Sequence, residues 1–493
     1  MEKYDVVVIG SGAGLMVLEA ALEKGLKCAI IEKAKFGGTC LTKGCIPSKM
    51  LVYPADVIRE MEHARKIGLD ISRPGIDWEV ISARMWEQIN LSERLERKLK
   101  NIPNLTVYNG SGKFTGPDTM VVRCGENEEE IIQGERFIIA AGARTFVPPI
   151  KNAEKTGYLT SETFFGPMFP DKPWDSLVIV GGGAISSEFA HIFSSYGTKV
   201  TVIERSDRIL KKEEEEVSRF VMNQFRNNGI EIMTNSGVLS IDEAGDLKAV
   251  TVENLLTGEV TVVKCREVLV ASGVRSNADT LALDKAGVEV DGREWIITNQ
   301  YLGTSRKNIW AIGDINGKYQ FRHTANQEAR ILSNNLFGSG DKVAMDYSSV
   351  PWTVFTNPQL ARVGATEEEL KEKGIPYKAA RKHYSEVTGG RAMGYQTRDS
   401  DNGFIKVIVG FDRRILGVHI VGPQASVLLQ PFVYLMNAGY ECNRKMLQMD
   451  DKKLIDELRL MCPSTGTYDP INNSMVIHPS LNELTAWVFD KIE

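Results

Sequence analysis

Two stretches of the chain share one arrangement of apolar and polar positions. Each begins with a short apolar run, at residues 6–9 and 177–180, and continues through a glycine-rich turn into a segment with helical periodicity. Each then enters a second apolar run and stops at an acid, Glu32 in the first copy and Glu204 in the second. Apolar runs on both sides of a helix are typical of parallel strands that are buried on both faces. The pattern therefore predicts two βαβ units.

The glycine-rich turns indicate what these units could bind. The first turn contains Gly10, Gly12 and Gly14, and the second contains Gly181 and Gly183. Glycines here let backbone N–H groups approach a pyrophosphate at a helix N-terminus, and an acid about 20 residues later accepts hydrogen bonds from ribose hydroxyls. The spacing from first glycine to acid is 22 residues in one copy and 23 in the other. The pattern indicates two dinucleotide sites, and a pair of ordinary βα turns is the plainer alternative.

Both copies depart from the usual fingerprint at its last glycine, where close packing of helix on strand is needed. That position holds Leu15 in the first copy and Ser186 in the second. Serine is small enough to cost little there, whereas we expect Leu15 to displace its helix slightly. Between the two copies, residues 54–100 are predicted to be helical with a solvated, charged face.

The pattern changes in the last third of the chain. The acids at residues 213–216 still belong to the second unit, and they predict a solvated face at a helix start, where acids suit the helix dipole. From about residue 347, a helix is predicted at residues 367–373 and two strands at residues 404–409 and 415–420. This order is typical of a separate α+β domain.

The charge balance excludes some classes of partner. The chain has 493 residues, with 59 Lys and Arg against 64 Asp and Glu, for a net charge of -5. That balance gives no electrostatic footprint for nucleic acid or for an anionic membrane. We find no run of eighteen apolar residues and no signal-peptide pattern, so we expect no membrane span and a cytoplasmic location.

Among the seven cysteines, Cys40 and Cys45 are the pair that lies close together in sequence. In a reducing compartment such a pair is more typical of redox or metal chemistry than of a structural disulfide. The spacer is not that of a zinc knuckle, so no metal site is predicted. A helix that began at about Cys40 would place both sulfurs near its positive end and lower their pKa values. Two unrelated buried cysteines are the alternative. The following cysteines are expected to be inert apolar residues: Cys28, Cys124, Cys265 and Cys442.

Several motifs match one known family in order and spacing. Residues 37–49 carry the cysteine motif, and residues 478–483 carry a His-Pro motif near the end of the chain. Further matching segments are residues 110–117, 138–142, 271–277, 309–314 and 355–358. On these motifs the chain resembles the class I pyridine nucleotide–disulfide oxidoreductases, and within them most closely the dihydrolipoamide dehydrogenase branch. The resemblance covers nearly the whole chain.

The resemblance implies an FAD-dependent enzyme that moves electrons between NAD(H) and a dithiol or disulfide, either a small molecule or a protein-bound group. It implies that Cys40 is the interchange thiol and Cys45 the thiolate beside the flavin. It also implies a homodimer in which His478 of one subunit serves the cysteines of the other as general acid and base, with Glu483 orienting the imidazole. A capping box between Ser480 and Glu483 is the plainer interpretation of that acid.

The resemblance further implies an ion pair between Lys49 and Glu188 near the flavin, and contact of Asp314 with the ribityl chain. The implied cofactor-binding positions are Gly10, Gly12, Gly14, Glu32, Lys33, Gly38, Thr39, Lys49, Gly112, Gly142, Gly181, Gly183, Glu204, Val238, Gly273 and Asp314. Because Glu204 occupies the ribose position, we expect NADH rather than NADPH, although Arg205 and Arg208 are residues of the kind that accommodate a 2′-phosphate.

The expected fold class is α/β, with two Rossmann-like dinucleotide-binding domains and a C-terminal α+β dimerisation domain. The predicted FAD domain covers residues 1–150 and includes the cysteine pair. The predicted NAD domain covers residues 151–275. Residues 276–346 are expected to return to the FAD or central domain, and residues 347–493 to form the dimerisation domain.

The chain departs from the family near its end. About twenty extra residues, 450–470, precede the His-Pro motif, and Ile477 replaces a usual polar residue. We expect this insertion to cover the substrate entrance as a lid, with a short helix at residues 452–460 and an inert Cys462; a surface or dimer contact is the alternative.

Three functions stay open on the sequence. The first is NAD-linked exchange with lipoamide or a low-molecular-weight disulfide. The second keeps the flavin and cysteines but changes the substrate, as in the ketopropyl-coenzyme M branch, which lacks the His-Glu pair, or mercuric reductases, which carry a terminal cysteine pair. This chain has His478 and Glu483 and no cysteine at residues 490–493, which argues against both. The third is a non-catalytic subunit of a larger complex.

Overall fold

The computed structural model describes residues 1–125, 128–438, 466–472 and 481–492. The strands in these ranges are β1 (Glu2–Ile9), β2 (Cys28–Glu32), β3 (Leu105–Asn109), β4 (Ser111–Phe114), β5 (Thr119–Cys124), β6 (Glu128–Ile139), β7 (Ala143–Thr145), β8 (Ser176–Val180), β9 (Lys199–Ile203), β10 (Glu231–Met233), β11 (Ser236–Ala244), β12 (Leu247–Asn254), β13 (Val260–Cys265), β14 (Glu267–Val270), β15 (Val274–Ser276), β16 (Ile309–Ala311), β17 (Trp352–Val354), β18 (Leu360–Gly364), β19 (Lys378–His383), β20 (Phe404–Val409) and β21 (Ile415–Val421).

The α-helices of the described ranges are α1 (Gly14–Leu22), α2 (Gly38–Thr42), α3 (Cys45–His63), α4 (Trp78–Ile89), α5 (Leu91–Lys100), α6 (Ala153–Thr156), α7 (Ser161–Phe164), α8 (Ala184–Ser195), α9 (Glu215–Asn227), α10 (Leu283–Ala286), α11 (Arg322–Phe337), α12 (Glu367–Glu372), α13 (Thr388–Ala392), α14 (Ala425–Asn437), α15 (Asp469–Asn472) and α16 (Asn482–Trp487). Short 3-10 helices lie at Ala64–Ile67, Ala278–Thr280, Gly313–Asn316, Tyr384–Glu386 and Phe489–Lys491. Across these described helices, we find none with the length and apolarity needed to cross a membrane.

The first sheet has the order β3-β2-β1-β6-β5-β4, with β16 beside β6. Strands β2, β1, β6 and β16 are parallel, as the first βαβ pattern predicts. The inner strand β1 is buried because helices cover the sheet, and α11 packs against α1 on one face. The start of α11 and the glycine turn after β1 therefore lie at the same end of the sheet.

The second sheet has the order β10-β9-β8-β14, and all of its pairings are parallel. Helix α8 follows β8 and packs on this sheet, which confirms the second βαβ unit. An antiparallel sheet with the order β11-β12-β13 packs against its other face through apolar side chains that include Val178, Val180 and Val250. A small antiparallel pair, β7 and β15, joins the two halves of the chain.

The last sheet is antiparallel, with the order β17-β18-β21-β20-β19, and α14 packs on it. The predicted strand at residues 404–409 is β20, the predicted strand at residues 415–420 is β21, and the predicted helix at residues 367–373 is α12. Every residue of β20 is buried, because α9 of the second unit and the C-terminal helices cover its two faces. These predictions are confirmed.

The helix near the cysteines differs from the prediction. It does not run through both cysteines: Cys40 lies in the short helix α2, and Cys45 is the first residue of α3. The break falls at Gly44, whose backbone turns so tightly that an added Cβ would lie 2.9 Å from the Thr39 carbonyl oxygen. Of the two sulfurs, that of Cys45 therefore lies at the start of a long helix. The helical region also begins earlier than residue 54 and is interrupted at residues 64–77.

The acids at residues 213–216 do not form a solvated face, and that prediction was wrong for two of them. Glu213 and Glu214 are buried just before α9. Glu213 pairs with His419 at 2.6 Å, and Glu214 with Lys406 at 2.7 Å. Because these partners belong to β21 and β20, the acids join the second dinucleotide unit to the last sheet.

Five histidines outside the cysteine site each have a hydrogen-bond partner within the fold. They are His63, His191, His323, His383 and His419. Burial raises the pKa of Cys28 to about 12 and of Cys265 to about 11, in agreement with inert thiols. Cys442 lies outside the described residues.

Candidate active site

The glycine turn after β1 depends on residues without a side chain. Gly10 has a φ of 99°, which favours glycine. A Cβ on Gly14 would lie 2.7 Å from a methyl group of Val8 and 3.0 Å from the Cβ of Ala140. The close approach of helix to sheet therefore occurs at Gly14, one position before Leu15. This explains why leucine is tolerated at the position where the usual fingerprint has its last glycine.

Glu32 holds this turn in place from the end of β2. Its carboxylate accepts hydrogen bonds from the Ser11 N–H at 2.9 Å and the Ser11 hydroxyl at 2.7 Å. The Ser11 hydroxyl also accepts the N–H of Gly37 at 2.9 Å. Next to it, an added Cβ on Gly38 would lie 2.7 Å from the Cα of Gly12. The cysteine segment is thus packed directly on the glycine turn.

A cavity of about 440 Å³ opens at this end of the first sheet. Most of the predicted first-cofactor residues line it, together with both cysteines: Gly10, Gly12, Glu32, Lys33, Gly38, Thr39, Cys40, Cys45, Gly112, Gly142 and Asp314. Gly14 and Lys49 are not in its wall. The residues fit a flavin dinucleotide, because a glycine turn before a helix lines the cavity, and a Cβ added to Gly12 would have the Arg322 guanidinium, at 3.8 Å, as its nearest neighbour.

Cys40 and Cys45 face this cavity as free thiols. A hydrogen bond from the Cys45 thiol, aided by the charges of Arg322 and Lys49 against burial, lowers the pKa of Cys40 to about 7. The same hydrogen bond, together with burial, raises the pKa of Cys45. The pair therefore holds one proton between two sulfurs and carries one thiolate near neutral pH.

The family resemblance assigns the standing thiolate to Cys45, whereas the lowered pKa lies on Cys40. The two assignments differ by the position of a single shared proton. The N-terminus of α3 favours an anion at Cys45, and the hydrogen bond from Cys45 favours an anion at Cys40. Transfer of the proton between the sulfurs converts one arrangement into the other, so each cysteine can act as the nucleophile in turn.

Lys49 and Glu188 form an ion pair behind the cysteines. The Lys49 Nζ lies 2.8 Å from one carboxylate oxygen and 2.9 Å from the other. The Phe355 N–H donates to the same carboxylate at 3.1 Å, and the ammonium lies 4.3 Å from the centroid of the Phe355 ring. The pair thus joins α3, α8 and the end of β17, and it is not a pair of free surface charges.

Asp314 lies in the wall of the cavity within a 3-10 helix. Burial, followed by the charge of nearby Glu328, raises the pKa of Asp314 to about 6. Glu328 is itself buried and accepts hydrogen bonds from the Gly313 N–H and the Asn316 amide. The carboxyl group of Asp314 is therefore able either to accept a hydrogen bond from a ligand hydroxyl or to donate one to it.

The second dinucleotide unit has the same construction. Gly181 takes a φ of 110° after β8, and Gly183 caps α8. Glu204 follows β9 and accepts the Ser206 N–H at 2.7 Å, as Glu32 accepts the Ala34 N–H at 2.9 Å. Gly273 lies after β14 with a φ of 120°. Val238 is partly buried and packs against the core between the second sheet and the antiparallel sheet.

The two arginines after Glu204 have different surroundings. Arg208 is buried, and its guanidinium contacts Asp207 and Glu368 at 3.4 Å and 3.3 Å. Arg205 is exposed. Arg208 is therefore engaged with carboxylates, and Arg205 is the arginine that has room to move.

Of the expected acid/base pair, His478 and Glu483, only Glu483 is among the residues that the structure describes. Glu483 lies in α16, fully buried beside the core of the last sheet. His478 and Ser480 lie outside the described residues, as do Ile477, Cys462 and most of the insertion at residues 450–470. Its final part is described: Gly466 accepts the Ile415 N–H at 2.8 Å, and Tyr468 stacks on Phe489.

Two charged groups in the site were not singled out from the sequence. Arg322, the first residue of α11, lines the cavity. Lys43, between the cysteines, pairs with Glu162 at 2.5 Å, and Glu162 also accepts the Thr145 N–H. Lys43 lies within the cysteine motif, where a charged residue can be noticed from the sequence, whereas Arg322 is far away in sequence and has no local signal.

Residues 4–329 match the family described as pyridine nucleotide-disulphide oxidoreductase, and residues 350–450 match the dimerisation domain of that family. The chain belongs to this oxidoreductase family. Curated relatives include mycothione reductase of Mycobacterium tuberculosis (strain H37Rv), 34% identical over 89% of this chain and 94% of the relative. Dihydrolipoyl dehydrogenase of Chlamydia muridarum is 34% identical over 87% of this chain and 89% of the relative.

Solved structures of the family are also similar. The copper(II) complex of the HOCl-induced flavoprotein disulfide reductase RclA from Escherichia coli aligns over 100% of both chains, with a TM-score of 0.82 and 27% identity. These findings confirm the expected fold class and an FAD-dependent disulfide oxidoreductase with a pyridine nucleotide as its second cofactor. The matched dimerisation domain agrees with the expected homodimer.

Proposed function

We propose that this oxidoreductase exchanges two electrons between NAD(H) and a small dithiol or disulfide through Cys40 and Cys45. The observation that carries the proposal is the pair of free thiols, Cys40 and Cys45, in the wall of the dinucleotide cavity. A thiol with a pKa of about 7 is substantially ionised at neutral pH, which is where thiol–disulfide exchange is efficient. A lipoamide-type dithiol and a low-molecular-weight disulfide are both within this class.

In the reductive direction, the Cys40 thiolate attacks one sulfur of the substrate disulfide. A mixed disulfide forms, and the first substrate thiolate leaves and takes up a proton. Cys45 then attacks the Cys40 sulfur, which releases the second substrate thiol and leaves a Cys40–Cys45 disulfide. The chemistry that FAD supplies when bound is transfer of an electron pair from NADH to this disulfide. One NADH, one proton and one disulfide thus give NAD⁺ and two thiols.

Proton transfer to the leaving thiolate is assigned to His478 of the second subunit, with Glu483 as the residue that orients it. The burial of Glu483 supports a fixed position for its carboxylate. A positioned imidazole has a pKa suited to proton transfer near neutrality. Under this proposal the active site is shared across the homodimer.

We assign FAD to the cavity at the first glycine turn. There Gly10, Gly12 and Gly14 form the diphosphate turn, and Glu32 binds the adenosine ribose. The other residues assigned to FAD are Lys33, Gly38, Thr39, Lys49, Gly112, Gly142 and Asp314. The Lys49–Glu188 pair is proposed to lie near the flavin when FAD is bound.

NAD(H) is assigned to Gly181, Gly183, Glu204, Val238 and Gly273. The proposed domain limits are those expected from the sequence, namely residues 1–150, 151–275, 276–346 and 347–493. The pairing of β16 with β6 supports the return of the third segment to the first. A cytoplasmic location stays a prediction.

NADH is expected to be the better nucleotide. The carboxylate of Glu204 would repel a 2′-phosphate, and Arg208, engaged with Asp207 and Glu368, is not free to compensate. We expect kcat/KM for NADH to exceed that for NADPH by roughly tenfold or more. Replacing Glu204 with alanine should lower the ratio of kcat/KM for NADH to kcat/KM for NADPH. Arg205→Ala is the control and should not lower this ratio. A preference of the parent enzyme for NADPH would contradict the assignment.

The substrate class is tested on purified holoenzyme with a panel of disulfides. NADH oxidation is followed with lipoamide, glutathione disulfide, coenzyme A disulfide and mycothione, and the reverse reaction is followed with dihydrolipoamide and NAD⁺. Copper(II) and mercury(II) salts are included because similar proteins are described as a copper complex and as a mercuric reductase. Turnover of a disulfide that is lost in Cys40→Ser supports the proposal. Metal reduction alone would overturn it.

A further inference from the structure

Arg322 introduces a positive charge into the wall of the FAD cavity. It is the first residue of α11, which packs against α1, and it is partly buried. Within the described ranges, the Arg322 guanidinium makes no ion pair with a carboxylate and no hydrogen bond. Arginine side chains at such positions are normally paired, because a desolvated charge without a partner is costly. The cavity therefore contains a cation that is poised for an anion.

The position of the guanidinium identifies the part of the cavity that it serves. One of its terminal nitrogens would lie 3.8 Å from a Cβ added to Gly12, so it lies directly over the glycine turn. Gly38 packs closely on Gly12, since an added Cβ would lie 2.7 Å from the Gly12 Cα. The turn and Ala13, the residue before α1, line the same cavity as Arg322. Backbone N–H groups at a helix start together with a guanidinium form a set of donors that suits phosphate oxygens.

The described carboxylates near the cavity do not pair with Arg322. Glu32 accepts the Ser11 N–H and hydroxyl. Burial and the charge of Glu328 raise the pKa of Asp314, which is not the effect of a paired guanidinium. Glu328 is occupied by Gly313, Asn316 and Tyr347. The Cys40 thiolate is affected by the Arg322 charge, but it is stabilised first by the hydrogen bond from Cys45. Among the described residues, Arg322 is therefore left without an anionic partner over the glycine turn.

We propose that Arg322 binds the diphosphate of FAD and clamps it against the glycine turn from the α11 side. The proposal rests on FAD occupying this cavity, and it adds a binding residue that the glycine fingerprint does not contain. In this arrangement the turn donates backbone hydrogen bonds from one side and Arg322 donates from the other. The guanidinium is thereby neutralised only when the dinucleotide is bound.

The test compares the holoenzyme with Arg322→Gln, Arg322→Lys and the control Arg330→Gln. Arg330 lies on the exposed side of the same helix and contacts Gln327. FAD release after dilution is followed by the recovery of flavin fluorescence, and the bound diphosphate is observed by phosphorus NMR. We expect Arg322→Gln to release FAD about 10- to 100-fold faster, the range expected for loss of a hydrogen bond to a charged group.

The same variant should shift the two phosphorus resonances, whereas Arg330→Gln should leave both release and resonances unchanged. Arg322→Lys keeps the charge and should lie between the parent and Arg322→Gln; it also serves if the glutamine variant does not fold. Parent-like FAD release and parent-like resonances in both Arg322 variants would overturn the proposal while the oxidoreductase function stands. A parent protein that binds no flavin would instead overturn the proposed function.

Discussion

The thiols of Cys40 and Cys45 illustrate how the chemistry of this enzyme depends on individual side chains. A single cysteine in a partly buried wall would have a raised pKa, because burial disfavours the thiolate. Here a hydrogen bond between the sulfurs, with Arg322 and Lys49 nearby, reverses that effect for Cys40. The proximity of the two thiols therefore creates the nucleophile.

The first prediction concerns the titration of this pair. In the reduced enzyme, the rate of alkylation by iodoacetamide should rise through a midpoint near pH 7, because the thiolate of Cys40 forms as its pKa of about 7 is passed. Replacing Cys45 with alanine removes the hydrogen bond, so the midpoint should move up toward the ordinary thiol value of 9.0. Cys28→Ala is the matched control, since Cys28 is buried elsewhere. An unchanged midpoint in Cys45→Ala would contradict the shared proton.

The two cysteines, the acids Glu32 and Glu204, and the Lys49–Glu188 pair could be predicted from the sequence. Each of them belongs to a motif with local spacing or has a counterpart in the family. The sequence did not predict Arg322 or the Lys43–Glu162 pair. Arg322 reaches the first glycine turn only because α11 folds back onto α1 across some three hundred residues of chain. Local spacing contains no information about such a contact, since it depends on the order of strands in the first sheet.

At the scale of elements, the glycine turns show which part of a fingerprint is physically required. The pattern placed the close packing of helix on strand at Leu15, whereas the structure places it at Gly14. Helix α1 begins at Gly14, while α8 begins at Ala184, one position earlier relative to its own turn. The close contact that requires a glycine falls on Gly14, the first residue of α1, so the fingerprint is satisfied one position before its usual place.

The second prediction follows from this contact. A Cβ in Gly14→Ala would lie 2.7 Å from Val8 and 3.0 Å from Ala140, so α1 must move away from the sheet. We expect a loss of about 1–3 kcal/mol in stability, typical of overpacking, together with weaker FAD retention. Flavin absorbance per chain and the thermal midpoint measure both effects. Gly75→Ala is the control because an added Cβ there meets no atom within 4 Å; equal effects in both variants would refute the packing argument.

The start of α3 was also beyond sequence prediction. Helical periodicity cannot show that Gly44 breaks the chain between two segments that both favour helix. The consequence is chemical as well as structural, because the break places Cys45 at the first residue of α3 and leaves Cys40 on a separate turn. The two cysteines therefore lie on either side of the break at Gly44, and not on one surface of a single helix.

At the scale of the whole molecule, a buried charge cluster joins the nucleotide-binding part of the chain to the last sheet. Lys406 of β20 is buried and contacts Glu214 at 2.7 Å and Glu216 at 2.6 Å, and it also pairs with Glu367. Hydrogen bonds to these carboxylates raise its pKa despite burial. Their acidic pattern suggested solvent exposure because the compensating lysine is about 190 residues away in sequence.

The third prediction concerns this cluster. Lys406→Met should lower the free energy of unfolding by about 3–5 kcal/mol, because it leaves carboxylates buried without their cation. The deficit should shrink at acidic pH, where protonation removes the carboxylate charges. Urea unfolding followed by circular dichroism measures the loss. Arg381→Met is the control: Arg381 pairs with Glu216 at an exposed position, so its removal should cost about 1 kcal/mol or less. Equal losses in the two variants would contradict a special role for the buried cluster.

The last prediction concerns the assembly of the active site. If Cys40 of one subunit works with His478 of the other, then Cys40→Ser and His478→Ala homodimers are both inactive, but a heterodimer of the two contains one intact site. After denaturation and joint refolding, random pairing makes half of the dimers heterodimers, so about one quarter of all sites should be active. Activity should follow the heterodimer fraction, which native mass spectrometry of differently tagged subunits measures. The matched control is a mixture of Cys40→Ser with Cys45→Ser, which cannot restore a site because both changes fall in the same redox pair. Heterodimers that form in the expected proportion without recovered activity would show that both groups act within one chain.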